Sequence, residues 1–360
     1  LSDALDLGVV NANVSKFYRL SEVAQLTATK HSLIINLCAS QITTEIKLSG
    51  IGDEDTQVRR FVSCISLKQL IHTFEANTTE IEFVEGGIVL YSGKSKFVIP
   101  QISDNEDSEL ARPAMPDYSA PQIKLDTSSW KFIDDHQMFA AAMSFVKPVY
   151  TMAWMGEDGT AVVGDFDSSL FTMSNKNTLG TTCLLTDTAI NTLTSAPENT
   201  TLIKLDDSYL MHVKQDSFEL VSEFKPRYES DENIGSYHSD IIIDTIDNNK
   251  VGGVSVPVKP ITKFINQLDI ISSSDVPITV KVDNGNLYII SSGSKFNVQA
   301  HNAGTNIIEY ELDFNMTQLK SVLTNYTSDN IMICPCRNDD EIVGLIIFDD
   351  DLATMIAGID

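Results

Sequence analysis

SLKQLIHTFEANTTEIEFVEGGIVLYSGKSKFVIP, residues 66–100, is the stretch whose reading decides the fold. Leu67, Leu70, Ile71 and Phe74 fall at i, i+3, i+4 and i+7, one apolar stripe of a short helix that Ser66 can cap and that ends at Asn77. Ile81, Phe83 and Val84 lead to a Glu85-Gly86-Gly87 turn, and Ile88, Leu90 and Tyr91 have strand character, so a hairpin follows. A second turn, Ser92-Gly93-Lys94-Ser95, leads into Phe97-Val98-Ile99. The predicted unit is a helix lying under an antiparallel meander.

The unit occurs three times. From Thr186, TDTAINTLTSAPENTTLIKLDDSYLMHVKQDSFELVSEF repeats the capped helix, the Asn-Thr-Thr exit and an Asp-Asp-Ser turn between strands. From Asn315, NMTQLKSVLTNYTSDNIMICPCRNDDEIVGLIIFDDDLATMIAGI repeats the helix and a hairpin turned at Arg337-Asn338-Asp339-Asp340. Helix starts at 66, 186 and 315 give a period of domain size, not of solenoid size. The expected fold is therefore α+β with three similar domains, at 1–120, 121–235 and 236–360.

The rest of the chain fits that frame. Residues 1–17 read as a helix carrying Leu1, Leu5 and Val9, and VAQLTA, HSLIINLCA and TTEIKLS read as strands, with VRRFVSCIS re-entering the sheet. The Pro-rich acidic segment 101–122 is a connector. KLDTSSWKFI is then a strand, DDHQMFAAAMSFV a helix, and the segment 151–174 a hairpin around Glu157-Asp158-Gly159. HSDIIIDTI reads as a strand and KPITKFINQLDII as a helix with Pro260 in its first turn, followed by a hairpin at Asp283-Asn284-Gly285-Asn286.

Composition narrows the function classes. The 360 residues are 42% hydrophobic, enough for substantial cores, and no apolar run approaches the length of a membrane span. No signal peptide is visible, and five scattered cysteines with no paired framework suit a reducing, cytoplasmic setting. Cys334-Pro-Cys336 lacks the ligand number of a zinc site, and Asp349-Asp350-Asp351 reads as a turn, so neither metal nor cofactor is expected. The six histidines show no HxxxH or HxH pairing, and no nucleophile elbow, P-loop or dinucleotide fingerprint occurs. A net charge of −25 argues against nucleic acid unless the few cations gather on one surface.

Ser92-Gly93-Lys94-Ser95-Lys96-Phe97, Met115-Pro116-Asp117-Tyr118, Tyr209 to Val213 and Phe218 to Val221 stand in the order and spacing of the bacterial sliding clamp, the beta subunit of the replicative DNA polymerase III. Over essentially its full length the chain resembles that family. The resemblance implies a ring closed by two subunits, with inner helices, outer antiparallel sheets and duplex DNA threaded through the hole. It implies a non-catalytic processivity factor with polymerase and clamp loader as partners. Lys16, Arg19, Lys68, Lys147, Lys259, Lys263 and Lys320 would face DNA, though the helix from Thr186 carries no cation. The head-to-tail contact would join Phe97 and Ile99 to Ile270 and Ile271. A partner-peptide pocket would be walled by Val149, Leu170, Met355, Ile356 and Ala357; Phe166-Asp167-Ser168-Ser169-Leu170 departs from the family's Asp-Gly-His-Arg-Leu and keeps only its last residue. Each set has a plainer reading, as solvated lysines, core residues, or completion of the last strand. Divergence from cellular members and Asn- and Thr-rich loops fit a phage source. Two other functions stand beside the clamp: a clamp-like scaffold or viral accessory factor that does not encircle DNA, and an acidic all-β enzyme or structural subunit.

Overall fold

The computed structural model describes residues 1–8, 23–38, 42–49, 58–74, 79–102, 110–124, 149, 152–165, 170–174, 179–197, 200–228, 237–271, 276–300 and 307–359. The chain divides into two compact units, residues 1–131 with 186–227 and residues 132–185 with 228–360.

In chain order, helix α1 (Ser2–Gly8) precedes strands β1 (Val23–Thr29), β2 (Ser32–Cys38), β3 (Ile42–Ser49) and β4 (Val58–Ser63). Helix α2 (Cys64–His72) leads to β5 (Glu80–Val84), β6 (Gly87–Ser92) and β7 (Ser95–Pro100). After the connector come β8 (Gln122–Lys124), β9 (Met152–Met155), β10 (Ala161–Asp165), β11 (Leu170–Ser174) and β12 (Cys183–Thr186). Helix α3 (Asp187–Thr194) is followed by β13 (Thr201–Lys204), β14 (Tyr209–Lys214) and β15 (Phe218–Phe224). Then come α4 (Ser239–Asn248), β16 (Val254–Pro257), α5 (Val258–Ile271), β17 (Pro277–Asp283), β18 (Asn286–Ser291) and β19 (Ser294–Gln299). The chain closes with β20 (Tyr310–Asn315), α6 (Met316–Thr324), β21 (Asn330–Asn338), β22 (Glu341–Phe348) and β23 (Leu352–Ala357).

Local chemistry makes the three repeats alike. Ser63 Oγ accepts from the Ser66 N–H at 3.2 Å, Thr186 Oγ1 from Ala189 at 3.4 Å and Asn315 Oδ1 from Gln318 at 3.1 Å. Each side chain satisfies one orphan donor at a helix start, and each of these helices follows a strand and precedes a three-stranded meander. The first cap corrects the sequence reading: Ser63, not Ser66, is the capping residue. That helix also ends at His72, short of Asn77, because the Thr73 N–H turns back to the Leu70 carbonyl at 3.0 Å. The hairpin at Asp283–Asn286 forms as expected, with Asn284 (φ 50°) and Gly285 (φ 75°) both left-handed, as a type I′ turn demands.

A second correction concerns residues 238–246, expected as a strand and found as α4. Three consecutive isoleucines favour a strand by propensity. Packing overrides it, because Ile242 and Ile246 lie one turn apart and are buried with Tyr237, while Ile241 stays exposed. The expected helix at 134–146, residues 9–17 of the first helix and residues 125–133 of the strand after the connector fall outside the described residues.

Two eight-stranded sheets share one order, β4-β1-β2-β3-β15-β14-β13-β8 and β12-β9-β10-β11-β23-β22-β21-β16. In each, the third strand of one meander joins the last strand of a meander far along the chain, at antiparallel seams β3–β15 and β11–β23. Two smaller sheets, β5-β6-β7 in the first unit and β19-β18-β17-β20 in the second, end on β7 and β19.

The second unit's large sheet separates two cores. Leu170, Leu345, Ile347 and Ile356 pack with Ile261, Ile265 and Leu268 of α5 and Leu319, Val322 and Leu323 of α6. Phe171, Met173, Ile346 and Ala353 turn to the other face, against Tyr237 and the α4 isoleucines. Strand alternation produces this division, and full burial of each such aliphatic side chain contributes roughly 1.5–3 kcal/mol. In the first unit Leu26, Ile35, Ile46, Leu67, Ile88 and Leu90 are fully buried.

Candidate functional site

Helix α5 is amphipathic because Val258, Ile261, Ile265 and Leu268 recur at helical spacing and face the core. Its other side carries Lys259, Lys263, Asn266, Gln267 and Ile270, all exposed. With Leu323 and Thr324 of α6 and Tyr326 beyond it, this side borders an open groove of about 520 Å³. Tyr326 anchors the groove floor by donating to the Ile347 carbonyl at 2.5 Å, and burial holds its phenol above the usual range. Lysines and amides on one helical stripe have the chemistry of sequence-independent phosphate contact.

Three of the four described lysines expected at DNA are held by aspartates. Lys68 Nζ lies 3.2 Å from Asp6 Oδ1, Lys259 Nζ 3.1 Å from Asp329 Oδ1 and Lys320 Nζ 2.5 Å from Asp269 Oδ2. His72 Nε2, one turn after Lys68, reaches the same Asp6 oxygen at 2.8 Å. Burial alone would raise the Asp6 carboxyl, but hydrogen bonds from His72 and Lys68 outweigh it and hold the group below its ordinary value. Lys263 is exposed and makes no ion pair among the described residues. Lys16, Arg19 and Lys147 lie outside the described residues, and α3 carries no lysine or arginine.

The residues expected at a subunit contact fall into two kinds. Ile270 and Ile271 are 84% and 70% exposed at the end of α5, an expensive position for isoleucine unless something covers it. Phe97 is half-buried on β7, stacked on Phe74 with centroids 5.4 Å apart, and Ile99 is buried. On β19 Phe296 stacks on Phe264 of α5 at 4.9 Å. That second stack escaped the sequence reading, although Ser294-Lys295-Phe296 repeats Ser95-Lys96-Phe97.

The five expected pocket residues are not on one surface. Leu170 and Ile356 are register partners, both buried on the α5 face of the sheet. Val149 is buried on the opposite face, where Met355 packs half-buried. Ala357, two residues on along β23, takes the Met355 side by alternation. The same face holds half-buried Trp154, Ile243 and Phe348, with Lys250 Nζ 5.7 Å from the Phe348 ring centroid. Sequence reading missed these because it took 238–246 for a strand; the pair Ile242 and Ile246, one helical turn apart, was the available signal.

Among the described residues no group of three or more His, Cys, Asp or Glu could hold a metal ion, and no helix is long and apolar enough to cross a membrane. Cys334 and Cys336 are free buried strand residues whose thiols burial pushes up, Cys334 to about 11, away from thiolate chemistry.

No protein-family model matches the sequence, and no curated protein does. Solved structures do. The DNA polymerase III beta subunit of Thermotoga maritima superposes with a TM-score of 0.72 at 13% identity, covering 100% of this chain and 97% of that one. The chain has the fold of a bacterial sliding clamp. The beta chain of Streptococcus pneumoniae (TM-score 0.70, 13% identity, 99% and 97% covered) is similar to this clamp fold. So is the Helicobacter pylori beta clamp bound to a DNA ligase peptide (TM-score 0.67, 13% identity, 99% and 97% covered).

Proposed function

We propose that this protein is a DNA sliding clamp: a non-catalytic processivity factor that encircles duplex DNA as a homodimer and tethers the replicative polymerase, after placement by a clamp loader. Its three domains would be 1–120, 121–235 and 236–360, acting in the bacterial cytoplasm or that of a phage's host.

One observation carries the reading. Two eight-stranded sheets have the same strand order, and the two smaller sheets repeat the order of its two halves, the second without a counterpart of β8 and β16 among the described residues. Written as β20-β17-β18-β19 and β7-β6-β5, they reproduce β4-β1-β2-β3 and β15-β14-β13 element for element. By that rule β19 seeks a strand equivalent to β15 and β23, and β7 is that strand. Pairing β19 of one copy with β7 of another, twice, closes a ring by two-fold symmetry. Phe97 and Phe296 would then meet across the seam, with the exposed Ile270 and Ile271 covered nearby.

DNA contact is assigned to Lys68, Lys259, Lys263 and Lys320, with Lys16, Arg19 and Lys147 proposed beside them. The Helicobacter pylori clamp holds a DNA ligase peptide. By analogy the half-buried face of Trp154, Ile243, Phe348 and Met355, with Val149 and Ala357, would accept the apolar anchors of such peptides, while Leu170 and Ile356 support it from the other side of the sheet.

A scaffold that does not encircle DNA is the second reading, favoured by the net charge of −25 and by the aspartates on the lysines. Mass in solution tests the ring. The clamp reading expects twice the chain mass by light scattering, and a monomer at micromolar concentration would overturn it.

A further inference from the structure

The three ion pairs share a design. Each lysine lies on a helix assigned to DNA contact, and each carboxylate comes from a different element. Asp6 of α1 holds Lys68 of α2, Asp269 of α5 holds Lys320 of α6, and Asp329, just before β21, holds Lys259 of α5. Asp6 gathers two donors on one oxygen, Lys68 at 3.2 Å and His72 at 2.8 Å. That is how a non-bridging phosphate oxygen would be held by a lysine and a histidine one helical turn apart.

We propose that Asp6, Asp269 and Asp329 are resident substitutes for DNA phosphate, which the backbone must displace from Lys68, Lys320 and Lys259. The inference rests on the sliding-clamp reading and adds to it a device that sets the grip. A lysine with no partner gains its full interaction with phosphate; a lysine already paired gains only the difference between two similar acceptors. Contacts of that kind form and break at little net cost, which suits a ring that must move along the duplex. Lys259 and Asp329 are each 84% exposed, and the half-buried Lys68 and Lys320 keep 26% and 32% of their side chains in solvent beside aspartates exposed at 47% and 39%, so exchange needs no unfolding.

The test is fluorescence anisotropy with a labelled linear duplex of about twenty base pairs at fixed low salt, where topological trapping plays no part. The variant D6N/D269N/D329N should bind on the order of ten-fold tighter than wild type, about two-fold for each pair released. A control, D206N/D207N/D340N, makes the same charge change at exposed turns and should alter affinity far less. K68Q/K259Q/K320Q should bind more weakly. D329N alone, at an exposed site, serves if the triple variant does not fold. If the lysine variant weakens binding but the asparagine variant does not tighten it, or the control tightens equally, the substitution idea is wrong and the DNA reading stands. If neither the lysine nor the asparagine variant changes affinity, this face does not meet DNA and both ideas fall.

Discussion

Thr44 and Ser222 lie opposite each other across the seam between β3 and β15, their buried hydroxyls 2.8 Å apart. Thr172 and Thr354 occupy the corresponding place between β11 and β23, with hydroxyls 3.2 Å apart. A hydroxyl pair inside an apolar seam fixes register, because a one-residue slip of either strand would turn its own hydroxyl to the other face and leave the two without each other.

Thr44→Val should therefore cost about 1–3 kcal/mol, since it strands the Ser222 hydroxyl in a dry seam. Thr44→Val with Ser222→Ala should recover part of that loss, because no polar group remains unpaired. Urea denaturation of these two variants and of Ser222→Ala checks this; a double variant that loses the sum of both single effects would show that the pair is not coupled.

At the proposed subunit contact, Ile270→Lys/Ile271→Lys should give a folded monomer, because both residues are exposed and contribute nothing to the chain's own core. Ile99→Asp should instead impair folding, since Ile99 is 2% exposed. Light scattering with circular dichroism distinguishes the cases, and a double-lysine variant that stays dimeric would place the contact elsewhere.

Trp154→Ala and Met355→Ala should each weaken binding of a DNA ligase or polymerase-tail peptide several-fold while leaving the fold intact, as both side chains are only partly buried. Leu170→Asp is expected to destabilise the whole second unit, because Leu170 is 1% exposed in its core. Calorimetry that finds wild-type affinity in both alanine variants would move the peptide site off this face.

Asp6 links pH to the docking of α1 on α2. Its carboxyl is held below the ordinary value, so the stabilisation is present above the unfolded carboxyl's titration, near pH 4, and is lost as pH falls through the lower folded value. An NMR titration of Asp6 should give a midpoint below that of a free aspartate, rising in Lys68→Gln and in His72→Gln. An unshifted midpoint in wild type would contradict the pairing.

How much of this was legible in the sequence follows from range. The caps Thr186 and Asn315, the Asn284-Gly285 turn and the three meanders are local chemistry and could be read from a few neighbouring residues. The Thr44–Ser222 pair joins residues 178 apart, and no local pattern announces which strand closes beside which. The isoleucines 241–243 misled because propensity favours a strand where the neighbours demand a helix. Leu170 and Val149 were grouped as one pocket because sequence alone cannot say which side of a sheet buries each residue. The aspartates on the lysines were hidden for the same reason, as Asp6 and Lys68 meet only after α1 packs on α2.

The central claim is that two copies close around DNA. The most direct measurement is retention of the loaded protein on nicked circular DNA compared with the same DNA made linear, by gel filtration at moderate salt. Encirclement predicts co-elution with the circle and loss from the linear form as rings slide off the ends. Equal retention on both, or none on the circle after loading, would contradict it.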